Sequence, residues 1–360
     1  MVLSSGFRSI NLLYGSIPAF SGFSVTVNAK SFFAHFRNFR ICRCPYWYLS
    51  ARYMVPGGMQ QQKKRDGVRC LTGSPEVWRE WIQNRLERIW FHYTRNETAD
   101  IEALTAEIRP VLEQYGTADQ KARFFSGSVL MVFRRDRYVI SKETFSYIEG
   151  FLRAAEDSGN LNEMAHAHFV RGFGRLWHGE LSAAEEAFKN SMKISERIGD
   201  AVMQSRCLTY LTIVYRMVGD REQTREYAVK SLKHCEAIRM TEYVATAKAN
   251  LAWLDFRNDK IQEALVYAKE ALRIWASSTL AYPFQWVALW PLTAIARQEK
   301  RIADAIDHAR ALFHPSQQQL VSNLAAAIET AIQTWEQGNQ SETIQNLDLA
   351  LSIAQKQRML

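Results

Sequence analysis

Gly179–Met192 reads GELSAAEEAFKNSM, and the rest of the chain lines up on it. Forty residues on, Gly219 opens GDREQTREYAVKSL, and forty further Asp259 opens DKIQEALVYAKEAL. Lys300 then opens KRIADAIDHARAL, and Gly338 opens GNQSETIQNLDLAL. Five places after each opener stands a small residue: Ala184, Thr224, Ala264, Ala305 and Thr343. Four places later comes Phe188, Ala228, Ala268, Ala309 or Leu347, and three beyond that Ser191, Ser231, Ala271, Leu312 or Ala350. Steps of four and three share one helical face, and self-similarity at a fixed period marks a stacked-repeat protein.

Two helices are expected in each unit. The second begins at the small-apolar-small face, where small side chains let a neighbouring helix approach closely. The first lies upstream, as in Ala201–Val218, with Leu208, Leu211, Thr212 and Tyr215 on one stripe. Gly199-Asp200 and Gly219-Asp220 divide the segments. Glycine suits the left-handed stop of one helix, and aspartate accepts from the free amides that open the next. Ser182 and Glu185 are expected to form a capping box in the same way. A single hairpin cannot bury its apolar face alone, so neighbours must stack.

This pattern resembles the tetratricopeptide repeat. Gly172 and Gly179 match its first helix, and Ala184, Phe188 and Ser191 its second. Leu208, Leu211, Tyr215 and Gly219 repeat the first-helix positions, while Ala264, Ala268 and Ala271 repeat the second. The resemblance implies an all-α fold, an α-α superhelix of about six to seven hairpins. Its unit of roughly 40 residues exceeds the family's usual length of about 34, and longer loops between repeats are the expected reason. The closing stretch Trp290–Leu320 also resembles the C-terminal repeats of large bacterial signalling ATPases and cyclase-linked regulators.

Charge is uneven along the 360 residues. No Asp or Glu occurs before Asp66, whereas nine of the 45 Lys and Arg do, leaving 36 basic against 37 acidic residues beyond that point. The basic excess therefore belongs to residues 1–65 and marks no nucleic-acid surface on the folded part. Within that segment, Ser9–Ala29 is uncharged but diluted by Asn, Ser and Pro. Membrane insertion, export or a transit peptide are weighed against the preferred reading, a disordered extension or a misassigned start with the true one at Met54 or Met59. Cys42 and Cys44 have no partner pair at ligand spacing.

Order is expected to begin at Ser74-Pro75, an N-cap followed by proline at the first helical position. Residues 74–116 read as a helical pair or cap and 117–357 as the repeat array. In the pair, Trp78, Trp81, Ile82, Leu86, Ile89 and Trp90 form one apolar face, and Pro110 is expected to kink or end the second helix. Thr117 and Gln120 start the next. Forty residues before Ala184 stands Thr144, followed by Ile148 and Phe151, so a degenerate unit fills roughly 117–157. Ala276–Ala296 is uncharged, but Pro283, Pro291 and the register make it the first helix of a unit and not a membrane span. Pro315 is expected to open the last first-helix and Glu342–Arg358 to form the final one.

The chain holds no phosphate-binding loop, no nucleophile elbow and no paired histidines at metal spacing. His166 and His168 stand two apart on different faces, and Cys207 and Cys235 read as small buried residues. Five cysteines without a framework fit a reducing compartment, so a cytoplasmic location is expected. No catalytic residue, metal or cofactor is therefore expected, and function must come from surface. The family resemblance implies that first helices line a concave groove for a protein or peptide partner. Carried over by position, the partner-binding residues are Phe169, Phe173, Arg206, Arg216, Trp253, Phe256, Trp290 and Arg297. The expected function is a non-catalytic interaction scaffold or sensor, set against an alternative as the effector-binding region of a transcriptional regulator. That alternative needs a helix-turn-helix, and none follows residue 66.

Overall fold

The computed structural model describes residues 74–278 and 281–360. The expectations for residues 1–65 lie outside the described residues. Among those described there are fourteen helices and no strand. α1 (Pro75–Thr94), α2 (Thr98–Tyr115) and α3 (Ala118–Arg135) pack against one another, and α3 forms a hairpin with α4 (Lys142–Ser158). Four further hairpins are α5 (Leu161–His178) with α6 (Leu181–Ile198), α7 (Ala201–Val218) with α8 (Arg221–Ala237), α9 (Thr241–Arg257) with α10 (Ile261–Ala276), and α11 (Trp286–Gln298) with α12 (Ile302–Leu312). α13 (Ser322–Glu336) and α14 (Gln340–Lys356) close the array. The odd-numbered helices α5, α7, α9 and α11 pack in series as an inner layer.

The repeat register holds at the level of side chains. Ala184, Thr224, Ala264, Ala305 and Thr343 are all fully buried, as is Thr144, the position projected backwards from them. Phe188, Ala228, Ala268, Ala309 and Leu347 are buried in the same way. Hydroxyls among the small residues are used across the hairpin. Ser191 Oγ donates to the Ala165 carbonyl at 2.7 Å, and Ser231 and Thr209 hydroxyls pair at 2.9 Å. A small polar residue thus buries its oxygen with a partner, which removes the penalty of hiding it.

The long unit has a different origin from the one expected. Its helices are extended, while Gly179-Glu180 and Gly199-Asp200 are two-residue turns between helices of 18 residues. Both glycines are left-handed, at φ 90° and 71°, and Asp200 accepts from the Met203 amide. Ser182 forms no capping box, because α6 already begins at Leu181 with Glu180 as its N-cap. The capping box at Thr117 and Gln120 is present. Pro110 lies inside α2, which continues five residues beyond it.

Regularity breaks at the fifth hairpin. Ala276–Ala296 is not one helix, since α11 starts only at Trp286. Pro283 has no amide to donate and disfavours helix at the residue before it, so the chain turns here and buries Tyr282 and Phe284 in the inner layer. Pro315 does not open α13 either; it sits in a turn, and the helix begins at Ser322. The last hairpin lays α14 against α11.

Candidate functional site

The inner layer is filled by the chain itself. Trp177, at the end of α5, stacks on Phe284 at 4.5 Å, and Tyr138 from the α3–α4 turn approaches the same ring at 4.8 Å. Phe173 contacts Phe133, Tyr210 and Phe284, and Phe169 contacts Phe188 and Tyr210. Aromatic pairs of this kind add to the burial of their area. Arg137 and Tyr138 both adopt left-handed backbone, at φ 46° and 64°, which aims Tyr138 inward. Arg137 then donates to the Gln317 carbonyl at 2.9 Å, and Gln319 returns an amide bond to the Arg137 carbonyl at 3.0 Å. Turns nearly 180 residues apart are thereby joined.

This filling corrects the expectation of an open groove along the first helices. Phe169 and Phe173 are 8% and 7% exposed, Trp253 is 4%, and Arg216 and Trp290 are 1%. These five side chains are core: Phe284 packs on Phe173, Phe188 and Tyr210 on Phe169, Trp286 and the Met359 carbonyl close over Arg216, and Trp253 packs with Ala228, Leu251 and Leu254. Arg216 illustrates the closure. It donates to Asn250 Oδ1 and to the carbonyls of Val287 and Met359, with the Trp253 and Trp286 rings 5.1 and 5.2 Å away. Arg206 is half-buried on α7, close enough to His166 to disfavour a second positive charge there.

Phe256 and Arg297 are the two expected residues that meet at an open surface. They occupy equivalent places, three residues before the openers Asp259 and Lys300, so α9 and α11 present their last turns side by side. A groove of about 490 Å³ runs between these turns and α14. Phe256, Ala294, Leu351 and Leu360 supply apolar surface, and Arg257, Arg297, Gln298, Asp348 and Gln355 supply the polar rim. Arg297 donates to Asp348 Oδ2 at 2.8 Å across the groove. The Asp348 side chain is half exposed, so the bridge is screened and worth at most about 1 kcal/mol. Arg257 joins no ion pair among the described residues. An apolar floor under two guanidinium groups suits a segment with acidic and apolar side chains.

Sequence reasoning missed the α14 wall of this groove. Asp348, Leu351 and Gln355 belong to a helix that stacking in strict order would keep apart from α11. A signal existed in Arg257, the neighbour of Phe256 at the same helix end. A second, smaller hollow of about 230 Å³ lies beside α5 and α6 and is lined by His168, Arg171, Arg175, Glu186 and Asn190. Burial and the neighbouring Arg171 push the His168 pKa down.

Other juxtapositions have structural roles. Ser205 Oγ and His234 Nδ1 lie 2.7 Å apart, but Ser205 is fully buried inside the α7–α8 hairpin. His92, Glu97 and Asp100 bring ligand-type atoms within 4.8 Å of one another. There His92 Nδ1 shares a 2.8 Å hydrogen bond with Glu97, whose other oxygen accepts from Arg95, so the group closes the α1–α2 turn. No described helix is long and apolar enough to cross a membrane.

Residues 244–277, the α9–α10 hairpin, match the family model of the tetratricopeptide repeat. The chain carries a tetratricopeptide repeat. Phe256 and Arg257 of the groove lie inside that matched hairpin. Among solved structures, the apo form of RapI is similar, with a TM-score of 0.56 at 14% identity. The match covers 77% of this chain and 98% of RapI, and at that identity the likeness is one of fold. No curated protein matches the chain in sequence. The buried repeat positions extend well beyond the one hairpin that the family model matches.

Proposed function

We propose that this chain is a non-catalytic interaction scaffold that takes a segment of a protein partner into the groove between α9, α11 and α14. The observation that carries this reading is the groove itself: the matched tetratricopeptide hairpin supplies its Phe256 and Arg257 wall. The buried inner residues Phe169, Phe173, Arg216, Trp253 and Trp290 act in this reading by holding the groove's shape, and Arg206 by supporting α7. A cytoplasmic setting is part of the proposal and rests on the free, buried Cys207 and Cys235. A signalling role within a larger bacterial ATPase rests on the resemblance of Trp290–Leu320 alone.

The full chain used as bait tests the proposal. A partner should be retained by the wild type and by Lys189→Ala, whose side chain is exposed on α6. Phe256→Ala and Arg297→Ala should each weaken its capture by about 1–3 kcal/mol without loss of helicity. A partner indifferent to both groove changes and lost with Lys189→Ala would place binding on the outer face and defeat the proposal.

A further inference from the structure

Arg216 is a buried cation without a counter-ion. Among the described residues no carboxylate lies within ion-pair distance of it, and its Nε–H has no acceptor. Burial alone pushes its pKa below the ordinary arginine value, with no charged neighbour to offset the effect. Its acceptors are neutral: Asn250 Oδ1 at 3.3 Å and the Val287 carbonyl at 2.9 Å for Nη1, and the Met359 carbonyl at 2.7 Å for Nη2. Buried charges in proteins are ordinarily paired. The Nε and Nη2 hydrogens form the edge of the guanidinium fork that grips a carboxylate with two parallel bonds. Here one backbone carbonyl occupies half of that edge.

The segment that supplies this carbonyl follows α14 and packs on the core through the partly buried Met359 and Leu360. After α14 ends at Lys356, Arg358 takes a left-handed backbone at φ 61°, a conformation that a bulky side chain adopts at a cost. Arg358 Nη1 reaches the Met217 carbonyl at 3.4 Å, a long hydrogen bond, and the Met359 amide donates back to Ala354 at 2.9 Å. Leu360, next along, lines the groove beside Phe256 and Arg297. The same short segment therefore walls the open groove on one side and covers the guanidinium on the other.

We propose that the Nε/Nη2 edge of Arg216 is a carboxylate-binding point, covered by the Met359 carbonyl until an acidic side chain of a segment in the groove displaces it. The inference rests on the groove reading above and adds to it the chemistry of the partner and a device that keeps the point closed. The carboxylate takes both hydrogens of the edge and neutralises the buried charge, which the Met359 carbonyl does not. The Met359 carbonyl is the internal stand-in for that ligand.

The full chain and a defined probe test this. Acetyl-leucyl-glutamate is titrated against tryptophan fluorescence, because Trp253 and Trp286 flank the guanidinium. Acetyl-leucyl-glutamine amide is the uncharged match. The acidic dipeptide should give a saturable change, weaker by about tenfold or more for the neutral one and abolished by Arg216→Met. Arg216→Met also removes three structural hydrogen bonds, so a second variant decides independently. Leu360→Glu adds a side-chain carboxylate to the segment beside Met359, and it should raise the thermal midpoint while weakening the dipeptide by about tenfold. Equal responses to the two dipeptides, no response to either, or an unchanged response in Leu360→Glu overturns the inference. The scaffold reading fails on a separate result, a captured partner that ignores Phe256 and Arg297.

Discussion

Trp177 and Phe284 stack face to face, ring centres 4.5 Å apart and planes 16° from parallel, so that the end of α5 is tied to the entry of α11. Phe284 is also fully buried against Tyr138 and Phe173. With Tyr210 of α7 also against it, one ring joins α5, α7, the α3–α4 turn and the entry of α11. Phe284→Ala is expected to cost about 3–5 kcal/mol, the range for removing a buried phenylalanine. Val266→Ala, at an exposed site on α10, should stay within about 0.5 kcal/mol. Guanidinium unfolding midpoints compare the two, and equal midpoints would show that the aromatic junction does not hold the array closed.

Gly172 gives a sharper test of packing. A Cβ added there would stand 2.7 Å from Phe188 Cδ1. Phe188 is fully buried, with Phe169 at 5.6 Å and Tyr210 at 6.0 Å around it, and it has little room to give way. Helix propensity alone favours alanine by about 1 kcal/mol, while overpacking costs about 1–3 kcal/mol. Gly172→Ala should therefore destabilise the chain. A thermal midpoint at or above that of the wild type would mean that Phe188 moves freely.

These two sites also show how far the sequence could be read. The buried positions Ala184, Thr224, Ala264, Ala305 and Thr343 are local, each repeating the same contact inside its own hairpin, so periodicity exposes them. The Gly-Asp junctions are local too, since the left-handed glycine and the capping aspartate act within one turn. The filled inner layer is not local. It depends on Tyr282–Phe284 leaving the helical path, on Gln317 bonding the Tyr282 carbonyl, and on Met359 reaching Arg216. Nothing in a repeat pattern encodes contacts between units so distant. For the same reason a repeat pattern does not separate the covered Trp253 and Arg216 from the half-buried Phe256 and Arg297, which stand on the same kind of helix.

Cysteine reactivity offers a local check of burial. Cys207 lies fully buried with its thiol 3.3 Å from Ser191 Oγ, and burial pushes its pKa up to about 12. Cys235 is buried as well, with its pKa raised by the same cause. The thiolate is the reactive form. Peptide-resolved alkylation at pH 8 should leave both residues unmodified in the folded chain and modify both in denaturant. Rapid native labelling of Cys207 would show that the α6–α7 interface opens readily.

Stability should fall on mild acidification, and His166 is the residue to follow. Its ring is half-buried on α5, edge-on to Phe151 at 5.2 Å. Burial, and secondarily the positive charge of Arg206, lower its pKa from 6.5 to about 3. The folded state thus resists the proton, while the unfolded chain takes it up near pH 6.5. The unfolded state binds more protons throughout that interval, so stability rises with pH there. It is full above about pH 6.5 and is lost progressively as pH falls towards about 3. Between pH 6.5 and 4.5 the loss from this one group should be on the order of 1–2 kcal/mol, allowing for its partial exposure. His166→Gln removes the titration and keeps a polar side chain of similar reach. Urea unfolding of both proteins at pH 7.0, 5.5 and 4.5 should show a smaller decline for the variant. Parallel declines would mean that His166 protonates in the folded protein as easily as in the unfolded one.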